Sequence, residues 1–216
     1  MKIDDEFHLI FVAWAPWAWK SEFINSVLDC TNFIVIDIDE YRKYFDWYNW
    51  KNAREYQDCS SRVATKIYDY CIKNNLKVIF DGTLTSNMGI KNIQKWHKKW
   101  RKMWIVLIYQ DPIISYAFTK ARQIQNTRNV DIKTFIKIYY NSILYCFDVI
   151  RKYKSIQIVV ASKSKNRDWK QNVFTDKSKF DKYYGVEYNS DVLKESLIDL
   201  EQNDDLLSNI RKLWKK

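Results

Sequence analysis

Two residues near the start of the chain, Lys20 and Ser21, stand where a phosphate-binding loop places its lysine and its hydroxyl. In the motif Gly-x-x-x-x-Gly-Lys-Ser/Thr, the lysine contacts the β- and γ-phosphates of a nucleotide and the hydroxyl binds magnesium. Glycines let the backbone curl so that successive N–H groups point at phosphate oxygens. The candidate phosphate-binding segment reads Trp14-Ala15-Pro16-Trp17-Ala18-Trp19-Lys20-Ser21-Glu22. The frame of the loop is therefore present, with tryptophan at both required glycine positions.

Tryptophan replaces glycine three times in this loop, since Trp17 sits where many small-molecule kinases have a further glycine. The chain has 3 Gly and 10 Trp, whereas average usage would give roughly 15 glycines in a chain of this length. We therefore hypothesise that UGA codons meaning glycine in the source organism are translated here as tryptophan. The alternative is a genuine aromatic cluster over a strand end. Further candidates for misread glycines are Trp47, Trp50, Trp96, Trp100 and Trp169, while Trp104 fits a strand as a true tryptophan.

The segments around the loop have the order that a phosphate-binding loop needs. The apolar run at residues 8–13 predicts a strand buried on both faces. Helical spacing of apolar residues over 20–28 places Lys20 and Ser21 at a helix N-terminus, where free N–H groups favour phosphate. Further buried strands are predicted at 33–39, 77–80, 103–109 and 156–161.

Two of the predicted strands end in carboxylates, and ligands bind at the carboxyl ends of strands in open α/β sheets. Asp39 is a candidate for orienting or deprotonating an acceptor hydroxyl, and the alternative is that it caps a helix starting at Glu40. Asp81 precedes Gly82 and Thr83. It is predicted either to act on magnesium through water or to bind the acceptor, with a turn-forming role as the alternative.

Arg122 and Arg128 lie in a predicted helix–turn–helix at 113–153 after the fourth strand. The lid of a small kinase has this position, and its guanidinium groups neutralise charge on the transferred phosphoryl. The alternative is that both are surface arginines without a partner.

The bulk composition indicates one globular domain with an appendage. A net charge of +10 and a pI near 9.3 favour an anionic partner, although a lysine-rich composition gives the same balance without functional meaning. Basic residues at 97–102 would suit nucleic acid, but a solvated helix end is the favoured interpretation. Scattered cysteines, no signal peptide and no apolar span of about 20 residues predict a cytoplasmic protein without a membrane partner.

Taken together, the segments 14–21, 34–39 and 78–83 and the pair Arg122 and Arg128 resemble the zeta toxin family of P-loop kinases, and more loosely other small-molecule kinases. The resemblance implies ATP-dependent phosphorylation of a hydroxyl on a UDP-amino sugar. It implies Lys20 on the β/γ-phosphates, Ser21 on Mg²⁺, Asp39 as the base, and both arginines on the phosphates. It places Asp81 and Thr83 near the acceptor, and Asp81 replaces the family's usual Glu. It also allows for an antitoxin protein as a partner.

We therefore predict a three-layer α/β/α P-loop NTPase fold with a five-stranded, mainly parallel sheet. Residues 1–161 would form the kinase domain, and 162–216 a polar, mostly helical extension that packs on it or trails it. Two rival interpretations stay open. One is a non-catalytic protein whose tryptophans fill the phosphate pocket, and the other is a basic nucleic-acid-binding module or polynucleotide kinase.

Overall fold

A computed structural model of the chain describes residues 7–14, 20–28, 30–53, 55–85, 87–99, 102–126, 130–163, 169–174, 176–184 and 189–215. Its strands are β1 (Phe7–Trp14), β2 (Ile34–Asp37), β3 (Val78–Asp81), β4 (Lys102–Tyr109), β5 (Gln157–Lys163) and β6 (Trp169–Phe174). They form one sheet in the order β2-β3-β1-β4-β5-β6. The first five strands are parallel to their neighbours, and β6 runs antiparallel to β5.

The helices are α1 (Lys20–Val27), α2 (Ile38–Tyr41), α3 (Gln57–Lys73), α4 (Asn87–His97), α5 (Pro112–Asn126), α6 (Ile132–Lys152), α7 (Lys177–Tyr184), α8 (Ser190–Gln202) and α9 (Asp204–Lys215). Short 3₁₀ helices cover Arg42–Tyr44 and Trp50–Asn52. Within the described ranges, no helix is both long enough and apolar enough to pass through a bilayer.

Helices cover both faces of the sheet, because the central strands alternate their apolar side chains between two cores. Leu9 and Phe11 of β1 join a large cluster with side chains of α3 to α9. Ile10 and Val12 point to the other face, where they pack with Phe23 and other apolar residues of α1. This arrangement confirms the predicted α/β class with a mainly parallel sheet.

The sheet has one strand more than the five predicted. The additional strand β6 lies in the segment predicted to be mostly helical, and its residues 170–172 are the polar Lys-Gln-Asn. An edge strand can leave one face in solvent, so its sequence lacks the apolar run of a central strand. Phe174 of β6 is buried, whereas Val173 is 66% exposed.

The C-terminal helices share the main core of the sheet. Leu193, Leu197 and Leu200 of α8 are buried in the same cluster as the β1 side chains. Outside the apolar contacts, Glu201 of α8 accepts a hydrogen bond from the Tyr116 hydroxyl and pairs with the Lys120 ammonium of α5, both at 2.5 Å. The division at residue 161 into a domain and an extension stays a prediction.

Replacing Leu197 tests how far this region contributes to folding. Leu197 is fully buried, so we expect Leu197→Ala to lower the free energy of unfolding by about 2–4 kcal/mol in a single transition. Urea unfolding followed by circular dichroism measures this. Leu206→Ala on the neighbouring helix is the matched control, because Leu206 is 43% exposed. A stability loss for Leu197→Ala no larger than for the control would show that residues beyond 161 fold apart from the sheet.

Candidate functional site

A cavity of about 520 Å³ lies where β2 and β3 end and α1 begins. Five of the side chains predicted from the sequence line it, namely Lys20, Asp39, Asp81, Thr83 and Arg122. They come from α1, α2, β3 with its exit loop, and α5. Residues separated by about a hundred positions along the chain therefore face one space.

The register of the parallel strands brings the acidic residues to one edge. Asp37 of β2 is paired with Asp81 of β3, which is paired in turn with Val12 of β1. The Gly82 amide continues the ladder by donating to the Val12 carbonyl at 3.1 Å. A side chain at Gly82 would meet the Phe80 ring at 3.3 Å. The absence of a side chain at Gly82 therefore lets the backbone after β3 pack closely against the Phe80 ring beside the cavity.

Lys20 and Asp81 form an ion pair at the wall of this cavity. The Lys20 Nζ atom lies 2.5 Å from Oδ2 of Asp81, and the Asp81 side chain is 2% exposed. Burial raises the pKa of Asp81 to about 7 and outweighs the opposing effect of the Lys20 ammonium, while Asp37 raises it further. Within the described residues, Oδ1 of Asp81 has no hydrogen-bond partner. This oxygen is an open acceptor that an incoming hydroxyl, water or metal-bound water could satisfy.

Asp37 and Asp39 have different interactions, since Asp37 caps a helix and Asp39 forms an ion pair. Oδ1 of Asp37 accepts the Asp39 amide at 2.8 Å and caps the N-terminus of α2. The strand predicted to reach residue 39 therefore ends at Asp37, and the alternative that Asp39 caps the helix is wrong. Asp39 lies in the first turn of α2, where its carboxylate is 2.9 Å from the Arg42 guanidinium. Its side chain is thus available to the cavity.

Sequence reasoning missed several polar residues that line the same cavity. Arg42 lies in an aromatic segment with no recognisable motif, although its spacing of three from Asp39 suits a helical ion pair. On α3, the residues that face the cavity recur at near-helical spacing and form a polar stripe of Gln57, Asp58, Ser61 and Thr65. This stripe lies beside the apolar face of α3, and a polar helix face normally indicates solvent rather than a site.

The arginine and threonine candidates are only partly described. Arg122 lines the cavity together with Thr119, one turn earlier on α5. The Thr83 hydroxyl is hydrogen-bonded to that of Thr85 at 2.8 Å. Glu22 is exposed in the first turn of α1. The remaining candidates fall outside the described residues or side chains, namely Trp14, Ala15, Pro16, Trp17, Ala18, Trp19, Ser21 and Arg128.

The described residues contain no cluster of three or more His, Cys, Asp or Glu side chains that could hold a metal by themselves. Mg²⁺ does not need such a cluster, because it is usually bound by one or two oxygens of the protein together with substrate phosphates and waters. Oδ1 of Asp81 is an oxygen of this kind, buried and lacking a hydrogen-bond partner among the described residues. This oxygen therefore fits Mg²⁺ held through water by Asp81.

The structure distinguishes among the tryptophans suspected to be misread glycines. Trp47 has a φ of 66° and is 90% exposed. Glycine adopts this left-handed conformation readily, whereas a bulky side chain rarely does. Trp96, in contrast, is fully buried and lies 5.8 Å from the Tyr68 ring. The backbone favours glycine at position 47, the packing favours tryptophan at 96, and the codon hypothesis stays a prediction.

Comparison with known proteins gives one family and several similar folds. The family model described as "Zeta toxin" matches residues 5–174. A structure from the PezAT chromosomal toxin–antitoxin system of Streptococcus pneumoniae superimposes with a TM-score of 0.66 at 18% identity, covering 97% of this chain and 89% of that one. No curated protein matches the chain.

Two other solved structures have similar folds at 10% identity. The complex of AvrRxo1-ORF1 and AvrRxo1-ORF2 with ATP superimposes with a TM-score of 0.56 and covers 96% of this chain and 81% of that one. The Pnkp1/Rnl/Hen1 RNA repair complex gives a TM-score of 0.51, covering 98% and 94% respectively. Likenesses at such low identity establish the fold alone.

The raised pKa of Asp81 makes stability depend on pH. Because this pKa is about 7 in the folded chain and ordinarily 3.8, the folded chain binds the extra proton between these values. Stability from this group is therefore complete at low pH and is lost as pH rises to about 7. We expect the stability of the wild type relative to Asp81→Asn to fall across this range, because asparagine does not titrate. Urea unfolding of both proteins from about pH 3 to about pH 8, a range that includes both pKa values, measures the difference. A constant or increasing difference would contradict this assignment.

Proposed function

The chain belongs to the zeta toxin family, and from this premise we propose that it is a P-loop kinase that transfers the γ-phosphoryl group of ATP to a hydroxyl of a small molecule. The observation that carries the proposal is the convergence of Lys20, Asp39, Asp81 and Arg122 on one cavity. A lysine at a helix N-terminus, acidic groups at strand ends and an arginine from a later helix are the parts that phosphoryl transfer requires.

In the proposed reaction, Lys20 leaves Asp81 and contacts the β- and γ-phosphates. Asp39 orients the acceptor hydroxyl and takes its proton as the new O–P bond forms, while the bond to the β-phosphate oxygen breaks and ADP leaves. Arg122 and Arg128 neutralise charge on the transferred group. When bound, Mg²⁺ would neutralise the phosphate charge and hold the phosphates in position.

The acceptor site in this proposal is the part of the cavity formed by α3 and the β3 exit loop. Its lining offers amide, carboxylate and hydroxyl groups, which suit an acceptor rich in hydrogen-bonding groups. A UDP-amino sugar, the acceptor that the family resemblance implies, has this chemistry. Asp81 and Thr83 would contact it.

The remaining elements of the proposal concern the setting in which the kinase works. We propose an antitoxin protein as a partner, because the similar pneumococcal protein comes from a toxin–antitoxin system. We further propose a cytoplasmic location, where ATP is available. Residues 162–216 would support the kinase domain and take no direct part in catalysis.

Two alternative functions are distinguished by simple measurements. A non-catalytic protein would fail to bind ATP even when glycines replace the loop tryptophans. A nucleic-acid-binding module would bind DNA or RNA tightly with a strong salt dependence. Among the basic residues at 97–102 on which that alternative rests, the His97 ring packs on Tyr153, with the ring centroids 4.5 Å apart.

Restoring glycine in the loop tests nucleotide binding. We expect the variant combining Trp14→Gly, Trp17→Gly and Trp19→Gly to bind ATP–Mg²⁺ at least about tenfold more tightly than the chain as written, because its backbone N–H groups can surround the phosphates. Isothermal titration calorimetry measures this. Trp47→Gly is the control, since Trp47 is exposed and does not line the cavity.

The natural gene should carry UGA at codons 14, 17 and 19, and UGG at these codons would refute the codon hypothesis.

Two substitutions in the glycine-restored chain separate binding from chemistry. We expect Lys20→Ala to abolish transfer, and Asp39→Asn to leave ATP affinity within about twofold while lowering turnover about 10²- to 10⁴-fold. Transfer of labelled phosphate from ATP to compounds of a metabolite extract provides the assay, and mass spectrometry identifies the product. Lys43→Gln is the control, because Lys43 is exposed and paired with Glu40. Equal losses of ATP affinity and turnover in Asp39→Asn would contradict its assignment as the base.

A further inference from the structure

Arg42 is a buried cation beside the proposed base. It lies directly after α2, at the start of the 3₁₀ helix Arg42–Tyr44, and is 2% exposed. An arginine placed out of water costs free energy unless carboxylates and hydrogen-bond acceptors compensate its charge. Its position therefore depends on the groups that surround the guanidinium.

Two of those groups connect α2 with α3. Nη1 of Arg42 lies 2.9 Å from Oδ1 of Asp39, and Nη2 donates a hydrogen bond to Oε1 of Gln57. The amide nitrogen of Gln57 donates in turn to the Ser61 hydroxyl at 3.1 Å. The Asp39 carboxylate is thus linked through Arg42 to the polar stripe of α3.

We propose that Arg42 is a positioning residue, held by Gln57, that orients the Asp39 carboxylate toward the acceptor hydroxyl and keeps it ionised. This inference rests on the proposed role of Asp39 as the base. Nε and Nη1 of Arg42 make no aligned hydrogen bond within the described part of the chain. The guanidinium therefore has donors that can form a better-aligned hydrogen bond to Asp39 when its carboxylate turns toward a bound acceptor.

A direct role in acceptor binding fits the geometry less well. Nε and Nη1 of Arg42 are fully buried, so a bound molecule would have to displace neighbouring side chains to reach them. The Asp39 side chain is 25% exposed and faces the cavity. Asp39 is therefore better placed than the Arg42 guanidinium to contact the acceptor hydroxyl.

Other charged groups act on Asp39 as well, and the test must separate their influence from that of Arg42. Asp37 precedes it on β2, Glu40 follows it on α2 and is paired with Lys43, and the other elements around the cavity contribute Lys20, Asp58, Asp81 and Arg122. Because the Arg42 guanidinium lies 2.9 Å from the Asp39 carboxylate, its removal should disfavour the ionised form of Asp39.

The test follows the Asp39 carboxyl carbon by NMR in the full chain labelled at aspartate, with Asp39→Asn supplying the assignment. We expect Arg42→Gln to move the titration midpoint of Asp39 upward by about 1 pH unit, and Arg42→Lys to move it less because it keeps the charge. Lys43→Gln, which removes an exposed cation one residue away, should leave the midpoint unchanged. An unchanged midpoint in a folded Arg42→Gln variant would overturn the proposal.

A second variant and a turnover assay test the proposal if Arg42→Gln cannot be studied by NMR. If Arg42→Gln does not fold, Gln57→Leu retains the charge and removes its anchor, and a midpoint equal to that of the wild type would overturn the proposal. In the glycine-restored chain, Arg42→Gln should lower turnover about tenfold or more with ATP affinity unchanged, and Arg42→Lys should recover much of it. The NMR measurement needs neither ATP nor acceptor. Failure of the kinase proposal would therefore appear as no phosphate transfer by the glycine-restored chain, and failure of the base assignment as an active Asp39→Asn variant, whatever the titration shows.

Discussion

The parallel register of β1, β3 and β2 is the constraint on which the site depends. Because Val12, Asp81 and Asp37 are aligned across three neighbouring strands, the two carboxylates lie at the same edge of the sheet, where Lys20 at the start of α1 pairs with Asp81. A slip of one residue would turn Asp81 to the opposite face of the sheet and away from Lys20. The apolar runs of these strands fix the register through their burial, so the core of the protein determines the geometry of its charged groups.

Charge compensation is the second requirement, because the cavity removes several ionisable groups from water. Asp81 is paired with Lys20 and Asp39 with Arg42, while Asp37 is satisfied by the backbone of α2. Burial of Asp81 raises its pKa despite the adjacent ammonium, so this pair is held together at a cost in desolvation. A bound phosphate could therefore replace Asp81 as the partner of Lys20. The Asp81 carboxyl group would then be able to take up a proton.

The sequence predicted those parts of the molecule whose physical signals are local. Continuous apolar runs identified the five parallel strands, and strand ends and helix starts identified Lys20, Asp39 and Asp81 as neighbours. The edge strand β6 was missed because one of its faces needs no apolar residues. Arg42 was missed because its significance arises only from the approach of Gln57, fifteen positions later on another helix. A contact between two residues on different elements produces no periodic pattern in the sequence from which it could be predicted.

The tryptophans occupy two kinds of structural environment, and this bears on the codon hypothesis. A fully buried Trp96 and an exposed Trp47 at positive φ cannot both be explained by a single preference for tryptophan. A gene that used UGG for tryptophan and UGA for glycine would yield this mixture when read with the wrong code. Well-packed positions would then be true tryptophans, and positions requiring glycine geometry would be misread ones. The phosphate-binding frame before Lys20 requires such geometry at positions 14 and 19, and many small-molecule kinases have a third glycine at the position of Trp17. The loop is therefore the place where the misreading would most impair function.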